Sequence, residues 1–225
     1  MRLFQHSNVR VLVSVLSAIL LALPAVTAFA LVNAYKYQSV SNKGAYSAIV
    51  TGNPTIRTDP SGRWSYMRVA VQRIISGNVY YAEVGWIKGA QPQSNFIPRS
   101  YWTYRDTSGN TDVGWGGYPG IGIGYNYEVK RTATNTWSFY FNDLGTPLHT
   151  QTVGWENADD IFSGGEVPSS LQGMGDSNNN NVQYLNSAGT TWFGACSTTV
   201  TNDDPTKYHV DAGGNCSSWR VYGNN

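Results

Sequence analysis

The 225-residue chain is short of almost everything from which common enzyme sites are built. Of its three histidines, His6 falls in the N-terminal leader, which leaves His149 and His209. No Gly-x-Ser-x-Gly elbow occurs, and nothing marks a Ser-His-Asp triad. His-Glu-x-x-His is absent, and no Cys/His cluster has zinc spacing. We therefore expect no metal and no cofactor. Asp159-Asp160 and Asp203-Asp204 read as solvated loop charges rather than calcium ligands. Gly120-Ile121-Gly122-Ile123-Gly124 lacks the spacing of a dinucleotide fingerprint, and no helical pattern follows it. A bulged hairpin rim suits it better. Charged residues make up 13% of the chain and form no basic patch, so nucleic acid is not an expected partner.

What is present points to an exported β protein. Arg2 and Arg10 precede an apolar run over 11–32, and small residues follow at Ala28-Phe29-Ala30 and Val32-Asn33-Ala34. This pattern predicts a signal peptide over 1–34, cut after Ala30 or Ala34, and a secreted protein with no membrane anchor after cleavage. Removing the leader takes the formal charge from +1 to about −1. The remaining 35–225 is the right size for a single domain, expected to be monomeric. Cys196 and Cys216 are the only cysteines. In an exported chain an even count reads as a disulfide, the alternative being two free thiols.

Helical periodicity is nearly absent after residue 35. Short alternating runs predict strands over 45–50, 64–73, 78–87, 99–105, 125–131, 136–142, 150–155, 161–167, 182–185, 191–195, 207–210 and 218–222. Gly, Pro, Asn and Asp punctuate them. Many strands at short spacing indicate an all-β antiparallel sandwich, concanavalin-like or jelly-roll-like, with a concave cleft.

The chain has only four glutamates. Glu128 and Glu156 have charged or amide neighbours, whereas Glu83 and Glu166 sit among apolar residues, in Tyr81-Ala82-Glu83-Val84-Gly85-Trp86 and Phe162-Ser163-Gly164-Gly165-Glu166-Val167. A carboxylate in such a setting is costly to desolvate without a partner. Strand alternation puts Glu83 on one face with Tyr81, Gly85 and Ile87, and Glu166 with Gly164 and Phe162. A glycine two residues from each acid leaves room for a substrate backbone.

These motifs resemble the neprosin-like glutamic peptidases. The resemblance runs from Gly44-Ala45-Tyr46-Ser47-Ala48-Ile49 and Asn53-Pro54, through Glu83-Val84-Gly85-Trp86 and Arg99-Ser100-Tyr101-Trp102-Thr103, to Gly164-Gly165-Glu166-Val167 and Met174-Gly175. The family's cysteine pair after the Tyr-Trp-Thr strand is missing, and 114–124 occupies that region. So is its His-Thr stretch before Met-Gly. The plant members' activation domain has no counterpart, so no inhibitory propeptide is expected. The type member's cleavage after proline is not carried over.

The resemblance implies that Glu83 and Glu166 form a catalytic dyad acting on a peptide or protein substrate at acid pH. One ionised carboxyl would activate water, and the other, protonated, would hydrogen-bond the scissile carbonyl. Two carboxylates sharing a site would raise one pKa. Analogy with related glutamic peptidases leans to Glu166 as base. Trp86, Tyr101, Trp102 and Tyr104 are the candidate substrate-binding aromatics, with ordinary core packing as the alternative. The rival readings are a jelly-roll glycoside hydrolase using the same two glutamates and a non-catalytic lectin-like module.

Overall fold

Residues 31–57, 63–89 and 97–223 are described in the computed structural model. Residues 1–30 of the predicted leader, with the Ala28-Phe29-Ala30 site, lie outside them. Among the described residues there are fourteen strands, all pairings are antiparallel, and no helix occurs.

The longest strand, β1 (Val32–Val50), joins two layers. Its first half pairs with β9 (Ala158–Val167) on one edge and with β12 (Thr199–Asn202) on the other. Register shifts around Asn42 and Gly44 then move its second half onto β6 (Gly124–Ala133) and β10 (Ser177–Asn186). A bulge of this kind bends a strand and re-aims it. The front layer runs β1, β9, β2 (Ser65–Ile75), β3 (Asn78–Lys88), β4 (Arg99–Arg105) and β5 (Thr111–Trp115). The back layer runs from β8 (His149–Thr152) through β7 (Thr136–Phe141), β6, β1 and β10 to β14 (Trp219–Gly223) and β13 (Tyr208–Ala212). A short β11 (Trp192–Gly194) extends β10.

The core lies between the layers and follows strand alternation. Met67, Val69 and Val71 of β2 and Ala82, Val84 and Trp86 of β3 point inward. Tyr127, Val129, Trp137 and Phe139 meet them from β6 and β7. Burying a large ring here contributes several kcal/mol, since each removes about 150–250 Å² from water. Cys196 and Cys216 are bonded to each other and close the segment that carries β12 and β13.

The structure differs from the sequence reading in three places. Val32, Asn33 and Ala34, assigned above to the leader, pair with Val167, Glu166 and Gly165, and Ala34 is fully buried. They belong to the fold. The strands β5 and β12 were not anticipated, because both are edge strands whose side chains are largely exposed and show no apolar alternation. The run 45–50 is only the end of β1; its earlier residues Lys36, Gln38, Ser39 and Asn42 break the apolar pattern.

Candidate active site

The outer face of the front layer carries the other half of the alternation. On β2 that face shows Tyr66, Arg68 and Ala70; on β3, Glu83 and Gly85; on β9, Phe162, Gly164 and Glu166. The central strand β2 separates the two acids. Glu166 lies across from Tyr66, and Glu83 lies across from Ala70, four residues further along β2 on its other side. On an ideal sheet this diagonal sets their Cα atoms about 16 Å apart, beyond the reach of two glutamate side chains toward direct contact.

Arg68 spans the gap. It stands midway, in register with Gly85 on one side and Gly164 on the other. Its Nε lies 3.1 Å from Glu83 Oε2 and its Nη1 lies 3.0 Å from Glu166 Oε2. Neither nitrogen aligns its N–H with an acceptor, so these are close ion pairs rather than hydrogen bonds. One guanidinium thus confines both carboxyl groups to within about 8 Å of each other. Arg68 also lies over the rings of Tyr66, at 4.7 Å, and Phe162, at 5.1 Å. Exposure is 3% for Glu83, 2% for Glu166 and 6% for Arg68.

The two acids differ in their remaining oxygens. Glu83 Oε1 accepts a hydrogen bond from the Tyr101 hydroxyl at 3.2 Å, so both its oxygens are engaged. Glu166 Oε1 is buried and has no hydrogen-bond partner among the described residues. Burial pushes Glu83 up to about 7, against the pull of Arg68, with the nearby Glu166 charge adding to the rise and the Tyr101 hydrogen bond opposing it. The sequence reading ascribed a raised pKa to like-charge crowding. Desolvation is the larger cause here, because a cation separates the two acids. Desolvation likewise pushes the Tyr66 and Tyr101 hydroxyls well up.

The two glycines have another role than the one expected. A Cβ on Gly85 would stand 1.9 Å from the Met67 carbonyl oxygen, and one on Gly164, whose φ is +155°, 2.4 Å from the Tyr35 Cβ. Neighbouring strands fill that space, so the glycines admit a tight sheet rather than a substrate backbone.

Of the four aromatic candidates, only Tyr101 reaches the site. Trp86, Trp102 and Tyr104 lie in the core between the layers, which corrects their assignment as substrate-binding residues. The reason is parity. On β4 Tyr101 shares the face of Glu83, while Trp102 pairs with Val84 and Tyr104 with Ala82, both inward residues. Trp102 stacks instead on His149 of β8, with ring centroids 3.7 Å apart. The aromatics that do border the acids are Trp64, stacked on Tyr66 at 5.1 Å, and the partly exposed Tyr35 and Phe162, 5.6 Å apart. Among the described residues no cluster of His, Cys, Asp and Glu could hold a metal ion.

No protein-family model matches the sequence, and no curated protein matches it. Solved structures do match in shape. Scytalido-glutamic peptidase, solved with a transition state analog inhibitor, superposes with a TM-score of 0.60 at 10% identity, over 86% of this chain and 98% of that one. The chain has the fold of a glutamic peptidase. SCP-B, a member of the eqolisin family of peptidases solved with the tripeptide Ala-Ile-His, gives a TM-score of 0.53 at 8% identity, over 86% and 98% of the two chains. These neighbours are eqolisins, so the narrower likeness to neprosin rests on the sequence motifs alone.

Arg68 is the residue that sequence reasoning missed. Strand alternation groups Trp64, Tyr66 and Arg68 on one side of 64–73, but does not say which side faces the core. The signal was an arginine flanked by Met67 and Val69 on a strand without other charge until Arg73.

Proposed function

We propose that this protein is a secreted, acid-active glutamic endopeptidase of neprosin-like type. Glu166 is the general base and Glu83 the proton donor. The observation that carries the reading is the meeting of two buried carboxyls on one guanidinium, in a fold shared with glutamic peptidases. Glu166 offers a free, buried acceptor oxygen toward which water can be drawn and deprotonated. Glu83, protonated below about 7, can hydrogen-bond the scissile carbonyl as it gains negative charge. It then delivers its proton toward the leaving amine, and the proton taken by Glu166 restores the starting state. With Glu83 neutral, Arg68 and Glu166 balance, and the buried site carries no net charge. With both acids ionised it holds one uncompensated negative charge, and the donor is lost.

The sign of the pH dependence follows. The active form needs Glu166 ionised and Glu83 protonated, so the rate falls as pH rises through about 7. Tyr35 and Phe162 beside the acids supply an aromatic shelf on which substrate side chains can pack. The test is digestion of a denatured protein at pH 3 to 8 by the wild type, Glu83→Gln and Glu166→Gln. Each variant is expected to lose at least about 100-fold in kcat/KM, the usual worth of a positioned acid or base. Unchanged activity in either, or a wild-type rate flat to pH 8, would sink the dyad.

A further inference from the structure

We propose that Arg68 is a positioning residue of this site, a two-handed clamp whose one guanidinium holds both carboxyls and whose charge acts on the proton of Glu83. The inference rests on the peptidase reading above and goes beyond the pair of acids. Its ground is geometric. The diagonal placement of Glu83 and Glu166 across β2 keeps the two carboxyls out of contact with each other, and Arg68 fills the gap. Each acid touches a different nitrogen of its rigid, planar group.

The clamp is itself held. Gly85 and Gly164 flank it in register with no side chain, while the Tyr66 and Phe162 rings bracket the guanidinium. Among the described residues no surface ion pair is built this way: the Arg220–Asp176 pair, for example, is about half exposed on both sides. Exposed pairs of that kind contribute little, whereas removing one partner of a buried set leaves uncompensated charge.

The groups facing Arg68 are few and known. Glu83 comes from β3, Glu166 from β9, Tyr101 from β4 and Tyr66 from β2 itself. Tyr35 of β1 also feels its charge and lies near Asp203. The tyrosine hydroxyls are pushed up and remain neutral through the acid range. Of these groups Glu83 is the one whose proton loss Arg68 favours on the way to neutral pH.

A cation beside a carboxylate favours its ionised form, commonly by one to three pH units. Arg68 therefore brings the loss of the Glu83 proton, and with it the alkaline limb of the pH–rate curve, down to lower pH. In Arg68→Gln that limb should move up by about one pH unit or more. In Arg68→Lys the charge is kept on a single ammonium, so the limb should move less. A residue with a merely structural role would lower kcat at every pH and leave the limb in place.

The limb is to be read twice, from kcat/KM on a denatured protein and from the carboxyl carbon resonance of Glu83 by NMR. The second reading needs no catalysis. If the wild type cleaves nothing while the resonance shifts as stated, the peptidase reading fails and the clamp stands. If the wild type cleaves and neither limb nor resonance moves in a folded Arg68 variant, the clamp fails alone. Arg68→Lys keeps the buried charge, so it carries the test should Arg68→Gln not fold.

Discussion

Glu83 is where the chemistry of the site turns into a property of the whole fold. Its folded pKa, about 7, lies above its ordinary 4.5. Between those values the folded chain binds a proton that the unfolded chain releases, so this contribution to stability is full below about 4.5 and is lost as pH rises through about 7. Its size is on the order of 3 kcal/mol. Glu83→Gln removes the titration. Its melting temperature should therefore gain several degrees on the wild type as pH goes from 4.5 to 8. A gap between the two that stays constant over this range contradicts the assignment. At this scale the sequence told half the story. The two acids were legible because charged residues in apolar runs are rare in a chain this poor in charge. Arg68 was not, since strand alternation gives two faces and does not say which one is buried.

At the scale of elements, the same parity sorts the candidate residues. Glu83 and Gly85 were placed on one face, and that face carries the contact with Arg68, joined by Tyr101 of β4. Trp86, Trp102 and Tyr104 sit one residue out of phase and face the core. Nearness in sequence to an acid is not nearness in space on a strand. The glycines of β3 and β9 are required by neighbouring backbone. Gly85→Ala must displace the Met67 carbonyl, which should cost about 2 kcal/mol or more and lower the melting temperature by about 4 °C or more. Gly214→Ala, where a Cβ meets nothing within 4 Å, should stay within about 0.5 kcal/mol of wild type. Equal effects in thermal melts of the two would show that the sheet is looser than described. The edge strands β5 and β12 stayed illegible because an edge needs no apolar face, only a neighbour with free backbone groups.

For the whole molecule, the all-β sandwich was readable from strand spacing and turn residues, but its two-layer path through β1 was not. The partner exchange near Asn42 depends on contacts more than a hundred residues away in sequence. That long strand also bears on maturation. Cleavage after Ala34 would strip Val32, Asn33 and Ala34 from their pairing with β9, and with them the hydrogen bond from the Asn33 amide to Asp203. Cleavage after Ala30 spares all of it. Mass spectrometry of the exported protein should find Leu31 at the N-terminus; Tyr35 there would mean that the first turns of β1 pairing are dispensable. The disulfide between Cys196 and Cys216 is compatible with the proposed export.

The central claim is that one buried pair of acids, gathered by Arg68, cuts peptide bonds. The most direct measurement is to incubate a denatured protein at pH 4.5 with the wild type or with Glu166→Gln and identify new internal N-termini by mass spectrometry. The wild type should generate them and Glu166→Gln should not. A wild type that generates none, or a variant that generates the same termini at the same rate, contradicts the account.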